Sequence, residues 1–206
     1  MKKILYITST LRRAGPTYQL YNLIKYLDRK AFEPHLLTLS PEPFDSYSEE
    51  FLKLGINIKS LQLSRIGSFL NAKKKINLVL KEDKPDIIHS QGIRPDLFMS
   101  KVNTCARWFI TCHTCPHNDY PLKFGNFRGM IMISQHIKAM RKCKSVIACS
   151  NSLSNFLSKY KVISTSIQNG VDFKIKPSIG ILGSLPKPIF ITVGSLVVGK
   201  NVHFII

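Results

Sequence analysis

The sequence predicts an α/β fold built on a doubly wound parallel sheet. Short apolar segments with the two-residue period of a strand alternate along the chain with segments of helical period, which is typical of repeated βα units. A length of 206 residues suits one such domain, or one domain with an appendage, and 44% hydrophobic residues provide a sizeable core. We therefore expect parallel strands with helices on both faces of the sheet.

The first half of the chain contains four predicted strands with helices between them. KILYITS, at residues 3–9, is the first strand, and it leads through the loop TLRRAGPT into a compact amphipathic helix. Gly55 ends a short helix, since glycine readily adopts a left-handed cap, and Pro85 prevents a longer helix from continuing. The other predicted elements are strands at 33–39, 56–63 and 86–90 and helices at 18–27 and 66–82.

The second half repeats this pattern and then changes in composition. Predicted strands lie at 108–112, 145–150 and 163–168, and predicted helices at 94–102, 126–141 and 151–159. After the turn signal Asn169-Gly170, three prolines and two glycines occur without helical or strand period, which is typical of a linker. We therefore predict a domain at 1–172, a linker at 173–188, and the first strand and loop of a truncated second domain at 189–206.

The strong positive charge of the chain indicates which classes of partner it would attract. The chain has 30 Lys and Arg against 12 Asp and Glu, a formal net charge of +18, and such a field attracts polyanions. Nucleic acid, an anionic lipid surface and a diphosphate-bearing substrate are the candidates, beside a basic surface that is merely solvated. Nucleic acid is the least favoured, because aromatic residues are not interleaved with the basic ones and no helix-turn-helix or zinc module is visible.

Segment lengths and cysteine usage indicate a cytoplasmic protein. No apolar stretch is long enough for a transmembrane helix, and the apolar run near the amino terminus is too short for a signal peptide. The five cysteines are odd in number and too sparse for a disulfide framework, so we interpret them as reduced thiols.

Polar residues and glycines at the carboxyl ends of the predicted strands are the candidate ligand-binding residues, because ligands of open α/β sheets bind in the crevice there. After the first strand, Gly15 permits close backbone approach, and the amides near Pro16 and Thr17 would face an anion unless the loop is only a tight turn. After the fourth strand, His89 is followed by Gln91, and a lone histidine here is as often structural as a ligand. The absence of G-x-G-x-x-G argues against a nicotinamide site.

The segment TCHTCPHND, after the fifth strand, is the densest cluster of reactive side chains. His113 lies just beyond the strand end, where a neutral imidazole can accept a proton or bind a hydroxyl group. Cys112 and Cys115 with His113 and His117 suggest zinc, but their crowding leaves no loop to close a tetrahedron, and no second C-x-x-C exists. A thioredoxin-like redox pair would belong to a smaller fold. Packing of two buried thiols is the favoured interpretation, with His113 and His117 pointing into the crevice.

A basic helix is predicted near residues 126–144, and it has two interpretations. It could rest on anionic lipid near a lipid-linked acceptor, or it could face the core with a solvated basic edge, which is slightly favoured. Its apolar residues include Met130, Ile131, Ile133 and Ile137, and its polar residues include His136, Lys138, Arg141 and Lys142.

Six segments occur in the order and approximate spacing of a known enzyme family. They are KILYITSTLRRAGPTYQLYNLIKYLD, PDIIHSQG, TCHTCP, SVIACSNSL, IQNGVD and VGSLVVGKN. In these segments the chain resembles, nearly end to end, the family-4-type retaining glycosyltransferases with the GT-B fold. The resemblance implies that the Rossmann-like sheet is the N-terminal, acceptor-side half of a two-domain enzyme. That enzyme moves a sugar from a nucleotide-sugar donor to an acceptor, and the donor lies mostly on the second half.

The resemblance also implies roles for residues of the first domain. Gly15 matches the glycine-rich loop that approaches the donor diphosphate, although Ala14 replaces the first of the usual two glycines. His113 matches the crevice histidine that contacts the transferred sugar, and it is the candidate catalytic residue. The substrate-binding candidates of this domain are Gly15, Pro16, Thr17, His89, Gln91, Asn169, Gly170 and Asp172, of which the last three match the hinge-side signature.

Two further candidates belong to the predicted second domain. Lys200 matches a phosphate-binding lysine, whereas Ser195 stands where many family members carry an arginine. Because a lysine and helix amides can stabilise the leaving diphosphate, the resemblance implies that neither a metal nor another cofactor is needed.

The resemblance thus implies a retaining glycosyltransferase that acts on a glycan or lipid-linked acceptor. We expect it to serve cell-surface polysaccharide or glycoconjugate synthesis in the cytoplasm or at the inner face of the plasma membrane. The family's paired glutamates would lie beyond residue 206, so the chain is expected to be truncated, or to be completed by a separate chain that supplies the donor half. The alternative is an inactive or partner-dependent module that binds a glycan or a lipid.

Overall fold

Seven strands form one sheet in the computed structural model, which describes residues 1–64 and 68–172. The strands are β1 (Lys2–Thr8), β2 (Phe32–Thr38), β3 (Asn57–Ser60), β4 (Ile87–Gln91), β5 (Arg107–Cys112), β6 (Ser145–Ala148) and β7 (Ser164–Ser166). Their spatial order is β3-β2-β1-β4-β5-β6-β7, and every neighbouring pair is parallel. The order reverses between β1 and β4, which confirms the predicted doubly wound α/β fold.

Helices join these strands throughout the described residues. They are α1 (Gly15–Lys25), α2 (Ser48–Lys53), α3 (Ser68–Asp83), α4 (Ile93–Met99), α5 (Pro116–Phe124), α6 (Asn126–Lys142) and α7 (Asn151–Ser158). All except α5 correspond to predicted segments. The sequence-based prediction missed α5 because Pro116 and Pro121 resemble loop residues. Pro116 is compatible with a helix start, since the first turn has no partner for its missing N–H.

The two faces of the sheet carry different helices. On what we call the front face, α1 and α2 pack against β1 and β2, where Tyr6 and Leu36 meet Leu20, Ile24 and Phe51. On the back face, α3, α4, α6 and α7 bury two further clusters. The right-handed crossover rule explains this division, because the direction of strand addition reverses after β3. The back-face strand residues include Leu5, Ile7, Leu37, Ile88, Ile110, Val146 and Ala148.

Element boundaries differ from the prediction mainly at the edges of the sheet. β3 is shorter than the strand predicted at 56–63, and β7 is shorter than the one predicted at 163–168. The predicted linker at 173–188 and second-domain start at 189–206 lie outside the described residues.

Candidate active site

A polar crevice of about 300 Å³ lies at the carboxyl ends of β1, β4 and β5. The residues that line the crevice come from the loop after β1, the start of α1, the turn between β4 and α4, the helix α5 and part of α6. Parallel sheets bind ligands at this edge, beside the point where the strand order reverses. Of the predicted site residues, Pro16, Thr17, Gln91 and His113 line the crevice.

The loop between β1 and α1 is held to the first turn of α1 by a short hydrogen bond. Thr17 Oγ1 donates a hydrogen bond to the carbonyl oxygen of Arg12 at 2.7 Å. α1 begins at Gly15 with Pro16 in its first turn, and that turn contains no acidic residue. Its amides therefore open beside the crevice without a carboxylate of their own turn to neutralise them. Gly15 itself does not line the crevice, and a Cβ added there would meet no described atom within 4 Å.

His113 lines the crevice and has a defined hydrogen bond. Its Nε2 is 3.2 Å from Gln91 Oε1. Because an amide oxygen can only accept, Nε2 carries the proton and Nδ1 of the neutral ring keeps a lone pair. Burial lowers the pKa of His113, so the ring is neutral at pH 7. The structure thus brings two predicted residues together and leaves an imidazole nitrogen able to accept a hydrogen bond.

A second cavity, the apolar cavity, adjoins the crevice on the front face and has a volume of about 490 Å³. Gln91, Thr111 and His113 line both spaces and form the wall between them. Its other lining residues are mostly apolar and include Ile4, Tyr6, Leu23, Phe32, Phe109 and Ile147. Asn169, Gly170 and Asp172 also lie here rather than in the crevice. Asp172 is held against α1 by an ion pair with Lys25 Nζ at 2.8 Å.

His89 belongs to the apolar cavity and not to the crevice. Its Nε2 is 2.7 Å from Thr111 Oγ1, and its ring lies 5.3 Å from that of Tyr6. Burial, with a smaller contribution from His113 when that ring is protonated, lowers the pKa of His89 to about 4. His89 is therefore a neutral ring, hydrogen-bonded to a neighbouring strand and located behind the residues that face the crevice.

The cysteines and histidines after β5 diverge instead of converging on one point. Cys112 Sγ donates to the carbonyl oxygen of Thr114 at 3.3 Å, and burial raises the pKa of its thiol to about 12. His117 stacks on Tyr160 with ring centroids 4.5 Å apart and lines neither cavity, so the prediction that it points into the crevice is wrong. Within 1–64 and 68–172, no group of three or more metal-ligating side chains is close enough to hold a metal ion. Packing of the thiols, with Cys112 unreactive, fits these contacts.

A buried polar network behind the α5 wall was absent from the sequence-based prediction. Tyr120 Oη lies 2.7 Å from His136 Nδ1, and His136 Nε2 lies 2.9 Å from Asp96 Oδ2. Tyr120 and His136 also line the crevice. His136, grouped above with the polar residues of a basic helix, is only 3% exposed, which corrects that placement. Three helices, α4, α5 and α6, thus meet at one hydrogen-bonded chain.

The carboxylate end of this network is fixed from the sheet. Ser90 Oγ donates to Asp96 Oδ1 at 2.5 Å, and Trp108 Nε1 donates to Ser90 Oγ at 2.8 Å. Complete burial raises the pKa of Asp96, while hydrogen bonds from His136 and Ser90 oppose this shift. Such a group is retained in a core only because its oxygens are paired.

The close packing of α5 on α6 sets the position of Tyr120. A Cβ added to Gly129 of α6 would lie 2.8 Å from Pro121 Cα and 3.0 Å from the carbonyl carbon of Tyr120. Glycine is therefore required at residue 129, since a methyl group would collide with backbone atoms of α5. This contact explains a glycine inside a helix, where its propensity is poor.

Comparisons with known proteins show the family and the fold of this chain. The model of Glycosyltransferase Family 4 matches residues 14–174. The chain belongs to Glycosyltransferase Family 4. An O-antigen biosynthesis glycosyltransferase of Escherichia coli, WclY, is 26% identical over 133 residues, which make up 63% of this chain and 33% of that protein. This family member thus spans about a third of the length of the curated relative that it matches.

Solved structures share the fold at low sequence identity. Sucrose-phosphate synthase from Thermosynechococcus elongatus superposes with a TM-score of 0.63 and 13% identity over 84% of this chain and 49% of that one. Anabaena HepE in complex with UDP and glucose superposes with a TM-score of 0.59 and 16% identity, over 84% of this chain and 45% of HepE. A glycosyltransferase from Rickettsia africae superposes with a TM-score of 0.56 and 21% identity, over 83% of this chain and 44% of that protein. The sheet therefore has the fold of the N-terminal half of GT-B glycosyltransferases.

Two remaining predictions concern the site residues of the second domain and the presence of a transmembrane helix. Ser195 and Lys200 lie outside the described residues. In the part of the chain that is described, none of the helices is both long and apolar enough to cross a bilayer.

Proposed function

We propose that this family 4 chain contributes the acceptor side of a retaining glycosyltransferase. The enzyme transfers a sugar from a nucleotide-sugar to a glycan or lipid-linked acceptor in cell-surface polysaccharide or glycoconjugate synthesis. The observation that carries this proposal is the crevice at the carboxyl edge of the sheet, which is lined both by neutral His113 and by the first turn of α1. Residues 1–172 form the acceptor domain, 173–188 the linker, and 189–206 the start of the donor domain.

Each group at the crevice has a role in this proposal. During transfer the bond from the sugar C1 to the diphosphate oxygen breaks, a bond from C1 to the acceptor oxygen forms on the same face, and the proton of the acceptor hydroxyl passes to the leaving diphosphate. The nucleoside diphosphate leaves with increased negative charge, which the amides near Gly15, Pro16 and Thr17, together with Lys200, stabilise. His113 accepts a hydrogen bond from a hydroxyl of the transferred sugar through Nδ1, and Gln91 fixes its tautomer.

The relatives suggest which substrates to examine first. Anabaena HepE forms a complex with UDP and glucose, and the Escherichia coli relative is named for O-antigen biosynthesis. We propose UDP-sugars as donors and bacterial surface glycans, free or lipid-linked, as acceptors. Asn169, Gly170 and Asp172 lie on the hinge side, next to the position at which the donor half would join.

Release of nucleoside diphosphate tests this function. The purified chain is incubated with a panel of nucleotide-sugars and an extract of surface glycans, with and without a second polypeptide that carries the C-terminal half of a family 4 enzyme. We expect acceptor-dependent release when both halves are present, with retained anomeric configuration by NMR. His113→Ala should reduce release at least about tenfold, the value of one lost hydrogen bond in the transition state.

His117→Ala is the matched control, because His117 belongs to the same segment but stacks on Tyr160 away from the crevice. It should release nucleoside diphosphate at the wild-type rate. Equal losses in the two variants would contradict the role of His113. Glycan binding without release under every condition would instead favour the inactive or partner-dependent binding module.

We also propose peripheral contact with an anionic membrane through the exposed side of α5 and α6. Phe127 is 81% exposed and Met130 58%, and basic residues such as Arg128 and Lys138 belong to the same helix. Apolar side chains beside cations suit the interface of anionic lipids. The chain should sediment with vesicles that contain phosphatidylglycerol more than with pure phosphatidylcholine, and Phe127→Ser should weaken this binding. Phe44→Ser is the control, because Phe44 is also exposed but is distant in sequence from α5 and α6. An equal loss of vesicle binding in the two variants would contradict the proposed membrane-binding face.

A further inference from the structure

Helix α5 contributes an ion pair and an aromatic ring to the crevice, and the function proposed above uses neither. Asp119 Oδ2 accepts a hydrogen bond from Lys123 Nζ at 2.6 Å, and both residues line the crevice. Phe124 follows Lys123 in the chain and also lines the crevice, with 42% of the residue exposed. One helix therefore brings a carboxylate, an ammonium group and an apolar ring to the same ligand space.

The two charged groups are accessible to a ligand. The side chain of Asp119 is 30% exposed and that of Lys123 is 59% exposed, so the ion pair is partly solvated. A carboxylate has two oxygens that accept hydrogen bonds, and an ammonium group has three donors. The single contact between them therefore leaves further acceptor and donor capacity on two neighbouring groups.

The charge of this pair indicates which kind of ligand it suits. Among the described residues that line the crevice, Asp119 is the one acidic residue and Lys123 is the one lysine or arginine. Their charges cancel, so the pair offers a strong acceptor beside a strong donor without the net positive charge that would attract a phosphate. Two adjacent hydroxyl groups of a sugar match such a pair, because each hydroxyl can both donate and accept.

The aromatic ring beside the pair suits the remaining surface of a sugar. The ring of Phe124 lies edge-to-face with that of Tyr120, with centroids 6.1 Å apart. The α5 backbone next to Tyr120 packs against Gly129 without space for a methyl group, which fixes the helix that carries the ring. A pyranose has an apolar face of C–H groups beside its hydroxyls. Ligand sites commonly combine an aromatic surface for such a face with a few polar groups that fix orientation.

We propose that α5 carries a subsite for the acceptor sugar, in which Phe124 packs against the apolar face of a pyranose and Asp119 and Lys123 bind two of its adjacent hydroxyl groups. Asp119 accepts from one hydroxyl, and Lys123 donates to the other. The groups assigned above to the donor, His113 and the amides that open α1, belong to other elements. This inference rests on the proposed function and deepens it, because it names residues that select the acceptor.

Glycoside binding by the full chain tests the proposal. Wild-type chain and the variants Phe124→Leu, Asp119→Ala and Lys123→Ala are titrated by saturation-transfer NMR with methyl glycosides of glucose, galactose, mannose and N-acetylglucosamine. Wild type should bind at least one of these glycosides. Each substitution should weaken that binding about tenfold, the effect of one lost hydrogen bond to a charged group or of one lost ring contact.

Monodeoxy analogues of the bound glycoside locate the two hydroxyl groups. Wild type should bind two of the analogues about tenfold more weakly than the parent, and the two missing hydroxyls should be adjacent on the sugar ring. Asp119→Ala should abolish this discrimination at one of the two positions, and Lys123→Ala should abolish it at the other. Phe124→Leu should weaken the binding of parent and analogues alike, because ring packing does not depend on a hydroxyl.

Matched controls come from α2 and from another exposed phenylalanine. Lys53 Nζ and Glu50 Oε1 form a partly exposed ion pair at 3.1 Å that lines neither cavity, so Glu50→Ala and Lys53→Ala should keep wild-type binding. Phe44→Leu should do the same, because Phe44 is exposed and lines neither cavity. Thermal unfolding of every variant is measured alongside, and all should remain folded, because exposed ion pairs contribute little to stability.

The pattern of losses decides the proposal. Position-specific losses in Asp119→Ala and Lys123→Ala support it. Unchanged binding in the α5 variants, equal losses in the α2 controls, or discrimination at hydroxyls that are not adjacent overturns it. Weakened binding of UDP-glucose in the α5 variants, with the glycosides unaffected, would assign the subsite to the donor and also overturns it.

Failure of this inference is distinguishable from failure of the proposed function. Absence of glycoside binding by the wild-type chain overturns the subsite. Release of nucleoside diphosphate then decides the proposed function separately, and a chain that releases it without binding any glycoside would keep that function and lose the subsite on α5.

Discussion

His89 and His136 are both buried histidines, but they lie in regions with different chemistry. His89 lies at the apolar cavity with Thr111 as its hydrogen-bond partner, and burial lowers its pKa to about 4. His136 is one of the residues that line the crevice, and it lies between the carboxyl group of Asp96 and the phenol of Tyr120. His89 has a hydrogen bond to Thr111 on the neighbouring strand, whereas His136 is hydrogen-bonded at both ring nitrogens, one of them to a buried carboxyl group. A buried chain of polar side chains thus supports the crevice, whereas the apolar cavity is lined mostly by apolar residues.

Replacing each ring by phenylalanine should produce the largest difference between the two regions. His136→Phe leaves Asp96 buried without its main partner, which should lower the free energy of unfolding by about 3–5 kcal/mol. His89→Phe removes one hydrogen bond to Thr111 beside apolar side chains, so we expect a loss of about 1 kcal/mol. Urea unfolding at pH 7 measures both. Equal losses would mean that the carboxylate does not distinguish the two sites.

The pH dependence of stability should sharpen the comparison from the His89 side. The folded chain keeps His89 neutral down to about pH 4, whereas the unfolded chain binds its proton near the ordinary pKa of 6.5. Between these values the unfolded state binds more protons, so this contribution is complete above pH 6.5 and is lost as the pH falls toward 4. It amounts to about 3 kcal/mol in full.

Urea unfolding of wild type and His89→Phe across this pH range isolates the contribution. The difference in unfolding free energy between the two proteins should decrease as the pH falls, because only the wild type has this histidine. A difference that stays constant from pH 7 to pH 4 would contradict the neutral, buried state of His89.

Gly129→Ala should disturb the crevice wall without touching either histidine. Alanine has the better helix propensity by about 1 kcal/mol, but its methyl group would lie 2.8 Å from backbone atoms of Pro121. Backbone cannot rotate away, so we expect a net destabilisation of about 1–3 kcal/mol. Gly15→Ala, where a Cβ meets no described atom within 4 Å, is the stability control. Similar urea midpoints for both variants would refute the close α5–α6 contact.

Local patterns in the sequence were sufficient to predict the strands of the sheet and some of the residues that line the crevice. Apolar periodicity predicted each strand, and the position of His113 just after β5 follows from strand length alone. The helix α5 could not be predicted in this way, because Pro116 and Pro121 have the same local signal in a loop. Its helical state depends on packing against α6, which accepts it only through Gly129.

The buried network was invisible for a related reason. Asp96 and His136 are separated by 40 positions, and neither has an unusual local context. A charged residue in a helix is normally solvated, so the sequence alone places both at the surface. A helical projection of α6 offers the one usable signal, since His136 adjoins the buried residues Ile133 and Ile137 on the same face.

Mapping ligand contacts on the isotope-labelled chain tests most directly whether the crevice is the functional site. Amide and imidazole resonances are followed by NMR while UDP-glucose and the panel of methyl glycosides are added. If the crevice is the functional site, chemical-shift changes should concentrate at Thr17 and Tyr120, which line the crevice and not the apolar cavity, and should be absent at Ile4 and Phe109 of the apolar cavity. Shifts confined to the apolar cavity, or no shifts with any ligand, would contradict it.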